Sequence, residues 1–150
     1  MTATNHALTG AIIGLSLGNP YIAIPCALVS HFVCDSIPHF GFQGKKAISS
    51  KNFARLLVID ATACGILVVL LGVSHPLHWL LAAVCAFTAS SPDFMWLPEF
   101  IRARRHQRPK RRRHILHFHH VIQWFQRPIG ALVEVAWFGA ALTILLAYTA

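Results

Sequence analysis

Residues 53–73 read FARLLVIDATACGILVVLLGV, with one arginine near the start, one aspartate at position 60 and apolar or small residues almost everywhere else. About 20 such residues are enough for a helix to cross the hydrocarbon core of a bilayer. A second stretch of that length lies at 129–147. Three shorter apolar stretches occupy 7–17, 21–37 and 77–89. The first two meet at Gly18-Asn19-Pro20 and read as a helical hairpin. The stretch at 77–89 reaches spanning length only if Trp96 and Leu97 sit at the interface. Lone strands leave backbone groups unsatisfied in lipid. The expected fold is therefore an all-α integral membrane bundle of about five apolar helices, forming a single domain over residues 1–150.

The composition agrees. Of 150 residues, 55% are apolar and only 12% charged, and the mean hydropathy is positive. A soluble domain of this size leaves too much of its surface in water to hide that much apolar area. Cys26, Cys34, Cys64 and Cys85 are scattered through apolar segments with no C-x-x-C spacing. They read as small hydrophobes, not as a disulfide framework or a zinc ribbon. No lysine or arginine precedes Lys45, so the first residues do not resemble a secretory signal and are expected to belong to the mature chain.

The formal charge of +8 invites a nucleic-acid reading, but its distribution argues otherwise. Lys45, Lys46, Lys51 and Arg55 surround the connection between the second and third apolar stretches. The run 102–113, followed by Arg127, fills the connection between the fourth and fifth. With five spans both connections lie on one side, and the positive-inside rule makes that side cytoplasmic. The expected location is the cell inner (plasma) membrane, multi-pass, with the N-terminus cytoplasmic. The basic run lacks interleaved stacking aromatics, so anionic lipid head groups are the expected partner and nucleic acid is not. After the run, Ile115, Leu116, Phe118, Val121, Ile122 and Phe125 form an apolar series with histidines between them. The series suggests a short amphipathic helix at the membrane surface.

The remaining ionisable residues gather at the same level. In that topology His6 begins the first helix, His31, Asp35 and His39 end the second, and Asp60 lies in the first turns of the third. Asp93 follows the fourth helix, Glu134 is early in the fifth, and His114, His117, His119 and His120 lead into it. Such groups are costly in a membrane and face partners or a water-filled cavity. The repeat His31-x-x-x-Asp35-x-x-x-His39 places three candidate ligands on one helical face, with Pro38 positioned to bend the last turn. His117 and His120, three apart, are a second convergent pair, and His119 is the weakest of that cluster. Mixed histidine and aspartate ligation suits zinc, manganese or iron. Asp60 reads equally as a ligand carboxylate or as a hydrogen bond to a neighbouring helix, and Asp93 equally as a site residue or a turn residue. His75, His78 and His106 read as interfacial contacts.

Four segments together carry a resemblance. They are Thr4-Asn5-His6-Ala7-Leu8-Thr9-Gly10-Ala11, the stretch from Ser30-His31 through Asp35 to Pro38-His39-Phe40-Gly41, Ser91-Pro92-Asp93, and His117-Phe118-His119-His120. These resemble the YdjM-like family of small bacterial integral-membrane proteins, described as membrane-bound metal-dependent hydrolases. In that family's fuller pattern Pro-Asp is followed by x-Asp-His, whereas Asp93 here precedes Phe94, Met95 and Trp96. The resemblance implies a metal site built from His6, His31, Asp35, Asp93 and the later histidines. It also implies a distant kinship with the helical folds of zinc-dependent phospholipase C and nucleases, which makes zinc the expected metal.

Two functions from different classes follow as expectations. One is a metal-dependent hydrolase at the cytoplasmic face, acting on a phosphoester of a lipid. In it His6, His31, Asp35, His39, Asp60, Asp93, His117 and His120 are the metal-site residues, and Asp35 and Asp93 are the catalytic carboxylates. Arg102, Arg104 and Arg105 would hold the anionic head group of the lipid substrate. The other is a non-catalytic membrane protein, either a metal-ion or proton pathway or a scaffold. Haem held between histidine pairs such as His6 and His31 is a third, lesser reading.

Overall fold

The short helix Ala3–Leu17 (α1) is the axis on which the four longest other helices pack. The structure is a computed structural model, and it describes residues 1–41, 50–105, 107, 118–119 and 121–149. Helix α1 ends at Gly18, whose φ of 63° is left-handed and whose N–H returns to the Gly14 carbonyl. A glycine adopts that conformation without strain. Asn19 then caps the next helix, Pro20–Ser36 (α2), by accepting a hydrogen bond from the Tyr21 N–H, with Pro20 as its first residue. The hairpin expected at Gly18-Asn19-Pro20 is thus built from an αL stop followed by an Asn-Pro start.

Three further helices are Lys51–Ser74 (α3), Trp79–Ser90 (α4) and Leu97–Arg104 (α5). A 3₁₀ turn, Ser91–Trp96, joins α4 to α5. A second 3₁₀ turn, Pro128–Gly130, leads into the last helix, Ala131–Thr149 (α6). Regular structure among the described residues is helical, with a single isolated bridge between His39 and Gln126. Three segments are long and apolar enough to cross a membrane: Lys51–Ser74, Trp79–Arg104 and Pro128–Thr149. The expectation of about five apolar helices therefore becomes three candidate spans plus the shorter hairpin α1–α2. The fourth apolar stretch reaches its length by running through the 3₁₀ turn into α5.

Val58, Val69, Val73 and Leu132 are more than 60% exposed, which suits side chains facing lipid tails. Lipid tails are as apolar as leucine, so close packing rather than transfer from water holds such helices together. Gly10 and Gly14, one helical turn apart on α1, supply that packing. A Cβ on Gly10 would stand 2.3 Å from the Cys85 carbonyl oxygen, and one on Gly14 would stand 2.6 Å from the Ala82 Cα. On α4, Ala82, Cys85, Ala86 and Ala89 are all buried against this seam. Leu67 and Leu71 of α3 and Ala141 and Leu145 of α6 complete a core with Ala7, Leu8, Ala11 and Leu15 of α1.

Candidate metal centre at one end of the bundle

The N-terminal end of α1 gathers the polar residues of every neighbouring helix. Three of the first N–H groups of the chain need acceptors, and Thr2 forms no side-chain cap. Two carboxylates from other helices serve instead. Asp60 of α3 accepts from the Ala3 N–H at 2.7 Å, the Thr4 N–H at 2.8 Å and the Thr4 hydroxyl. Glu134 of α6 accepts from the Thr2 N–H and hydroxyl, the Asn5 amide and the Phe40 N–H. Asp60 was an expected metal ligand. Its oxygens are occupied in capping α1, because its place on α3 faces the N-terminus of α1.

One turn further along α1, His6 enters a tighter cluster. Its Nε2 lies 3.1 Å from Asp35 Oδ1 and 3.9 Å from Asp93 Oδ2. His31 Nε2 lies 3.3 Å from Asp35 Oδ2, one turn along α2, and 4.0 Å from Asp93 Oδ1. His119 Nε2 lies 2.9 Å from His31 Nε2, 3.1 Å from Asp35 Oδ2 and 3.9 Å from Asp93 Oδ1. The His6 and His31 rings stack at 4.1 Å between centroids, and those of His31 and His119 at 5.1 Å. The side chains of His6, His31 and Asp35 are fully buried, that of His119 is 7% exposed, and that of Asp93, at 16%, forms the open edge. Asp35 also pairs with the Met1 ammonium and accepts from the Gln123 amide at 2.9 Å.

This arrangement fits a divalent metal. In His6, His31, Asp35 and Asp93, one donor atom from each lies within 4.8 Å of all the others. Ligands about 2.0–2.2 Å from a zinc-like ion stand about 3–3.5 Å from one another; His6 and His31 stand at that range from Asp35, and Asp93 is 3.9–4.0 Å from both rings. His31 donates its Nδ1–H to the Ala89 carbonyl at 2.8 Å, which leaves the Nε2 lone pair facing the cluster. A hydrogen bond on the far ring nitrogen orients a metal-binding histidine and fixes its tautomer. His6 Nδ1 is buried and has no hydrogen-bond partner among the described residues.

The placements of the other expected residues differ. His39 was expected on the same face as His31 and Asp35, but α2 ends at Ser36 and Ile37 is extended, with ψ 147°. The residue before a proline disfavours the helical region, so the register is lost at Pro38. His39 is buried elsewhere, donating Nδ1–H to the Ile37 carbonyl, and its Nε2 has no partner among the described residues. Burial pushes its pKa down, reinforced by the Met1 ammonium and opposed by the Ile37 carbonyl, Asp35 and Glu134. His117 and His120 lie outside the described residues. Arg102 is partly buried and Arg104 and Arg105 are exposed, at the far end of the span that carries Asp93. No ion pair joins these arginines to the cluster among the described residues. His75 and His78 sit at the opposite end of the bundle, with His78 against Gly18.

His119 is the residue that sequence reasoning undervalued. The signal for it was its spacing to Gln123: four residues apart, the two share one face of a helical turn and both reach Asp35. Comparison with protein-family models, curated proteins and solved structures gave no match to this chain.

Proposed function

We propose that the chain is a membrane-bound metal-dependent hydrolase of the YdjM-like kind, acting on a phosphoester of a lipid at the bilayer surface. One observation carries this reading. Three imidazoles and two carboxylates from α1, α2, the 3₁₀ turn and the 118–127 segment converge at metal-ligand separations. His6, His31, Asp35 and Asp93 would hold the ion, with His119 against His31 and Asp35 at its side. A bound divalent cation supplies Lewis acidity toward a phosphoryl oxygen and lowers the pKa of water.

The two aspartates then have different duties. Asp35 is enclosed by three histidines, the Met1 ammonium and Gln123, and with no free approach it serves to hold and orient. Asp93, the least enclosed of the four with its side chain 16% exposed, would face an attacking water and take its proton on the oxygen the ion leaves free. Arg102, Arg104 and Arg105, on the same continuous span, bring positive charge toward an anionic head group.

The test is metal analysis of the detergent-purified protein, followed by release of phosphate from phosphodiester and phosphomonoester lipids. At least one equivalent of a transition metal is expected, falling in His31→Ala, with turnover abolished by chelation. Less than one equivalent, unchanged in His31→Ala, would sink the idea. The enclosure of His6, His31 and Asp35 favours a second reading, a metal-holding protein without catalysis. Stoichiometric metal with no turnover on any phosphoester lipid would select it.

A further inference from the structure

The described residues of the segment 118–127, which are 118–119 and 121–127, present two faces with different surroundings. His119 and Gln123 lie on the inner one, linked by a hydrogen bond from the Gln123 N–H to the His119 carbonyl, and both meet Asp35 Oδ2. Phe118, Val121 and Trp124, spaced by three, are 55%, 57% and 68% exposed. Trp124 donates its indole N–H to the Ser36 carbonyl at 2.9 Å, which satisfies its polar atom while the ring stays outside.

Beneath this row the backbone is stitched to the end of α2. His39 N–H donates to the Phe125 carbonyl, and Arg127 N–H donates to the His39 carbonyl. Gly41 and Gly130 leave the necessary room. A Cβ on Gly41 would meet the Gln126 side chain at 2.0 Å, and one on Gly130 would meet the His39 carbonyl at 2.2 Å.

The candidate span Pro128–Thr149 begins immediately after this segment, so the apolar row lies where the chain enters the bilayer. Tryptophan favours that level. Arg127 is exposed, with its guanidinium 5.1 Å from the centroid of the Phe125 ring, and it adds a cation of the sign that anionic head groups attract. A lipid surface is the occupant that fits an apolar row, a cation and an adjoining span.

We propose that 118–127 is an interfacial strap: docking of Phe118, Val121 and Trp124 into the head-group region of an anionic bilayer seats His119 and Gln123 on Asp35. Assembly of the centre thereby depends on the lipid surface. The coupling rests on the metal-centre reading above, whereas the lipid contact stands apart from it.

The test uses the full chain in phosphatidylcholine–phosphatidylglycerol nanodiscs. Lipids brominated near the head-group end of their acyl chains should quench wild-type emission more than that of Trp124→Phe. Equal quenching, with Trp124 reached by iodide instead, overturns the lipid contact whatever metal is bound. Protection from both quenchers with self-association also overturns it and identifies a second copy as the occupant. Cobalt(II) titration then reads the coupling. Val121→Ser combined with Trp124→Ser should weaken cobalt binding about tenfold, the scale of losing an outer-shell support. Phe118→Ser provides the same comparison if the double variant fails to fold. Unchanged cobalt affinity after loss of lipid contact overturns the coupling. No cobalt band in the wild type removes the coupling and the metal reading together, while the quenching result still decides the surface.

Discussion

His31 and His119 are 88 residues apart in the chain, yet their Nε2 atoms stand 2.9 Å from each other. His31 spends its ring proton on the Ala89 carbonyl, so its Nε2 offers a lone pair to whatever His119 presents. Asp35 Oδ2 faces both rings. The pair is therefore poised to share either a proton or a cation. Replacing His119 with alanine removes a donor while leaving α1 and α2 untouched. Cobalt or zinc affinity is expected to fall by at least about tenfold in His119→Ala, with helicity retained. Competition titration against a chelator measures it, and wild-type affinity in the variant would exclude His119 from the centre.

Asp60 provides the opposite case. Its carboxylate satisfies the first N–H groups of α1, a role worth about 0.5–2 kcal/mol when a cap is truncated. Asp60→Ala should lower the melting temperature in detergent and leave metal stoichiometry at the wild-type value. Asp60→Asn, which keeps an acceptor oxygen, should recover part of the stability. Loss of metal from either variant, at temperatures where it is folded, would restore Asp60 as a ligand.

The level of each polar residue was legible in the sequence, and its partner was not. Hydropathy placed His6, Asp35, Asp60, Asp93 and Glu134 at one end of the helices; His6 meets Asp35 and Asp93 there, and Asp60 and Glu134 accept hydrogen bonds from Ala3 and Asn5 beside it. The pair His31 and Asp35 was readable because i, i+4 geometry holds inside a continuous helix. His39 was lost because that geometry stopped at Ser36. Asp60 and Asp93 sit at similar depth, but which one turns toward His6 depends on how α3 and α4 are rotated about α1. Single-chain periodicity carries no such rotation. For His119, the apolar series around it is too short for its spacing alone to declare which face turns inward.

The rotation of α4 is set by glycines, which the apolar reading passed over. At Gly14 a side chain has no room, since its Cβ would stand 2.6 Å from the Ala82 Cα. Gly14→Val should cost at least about 1–3 kcal/mol through overpacking, and it should also weaken metal binding by shifting α4 and with it Asp93. Around Gly65 on α3, no atom of the described residues lies within 4 Å of where a Cβ would stand. Gly65→Ala should be neutral or stabilising by up to about 1 kcal/mol from helix propensity. Thermal melts of the two variants in one detergent give the comparison, and equal destabilisation would contradict the seam between α1 and α4.

His39 gives the fold an acid sensitivity independent of metal. Its side chain is enclosed, and its Nε2 has no hydrogen-bond partner among the described residues, so burial holds its pKa below the ordinary value of 6.5. Between the folded and unfolded values the unfolded chain binds a proton that the folded chain refuses. Stability therefore rises with pH across that window. The contribution is full above about pH 6.5 and is lost progressively as the pH falls below it. Protonation would also add charge beside the Met1 ammonium, which disfavours the imidazolium further. The metal-free protein should melt at a lower temperature at about pH 5 than at about pH 7.5. His39→Asn retains an N–H for the Ile37 carbonyl and cannot take the proton, so its melting temperature should vary less over the same range. Parallel pH dependences in the wild type and His39→Asn would assign the acid sensitivity to other groups.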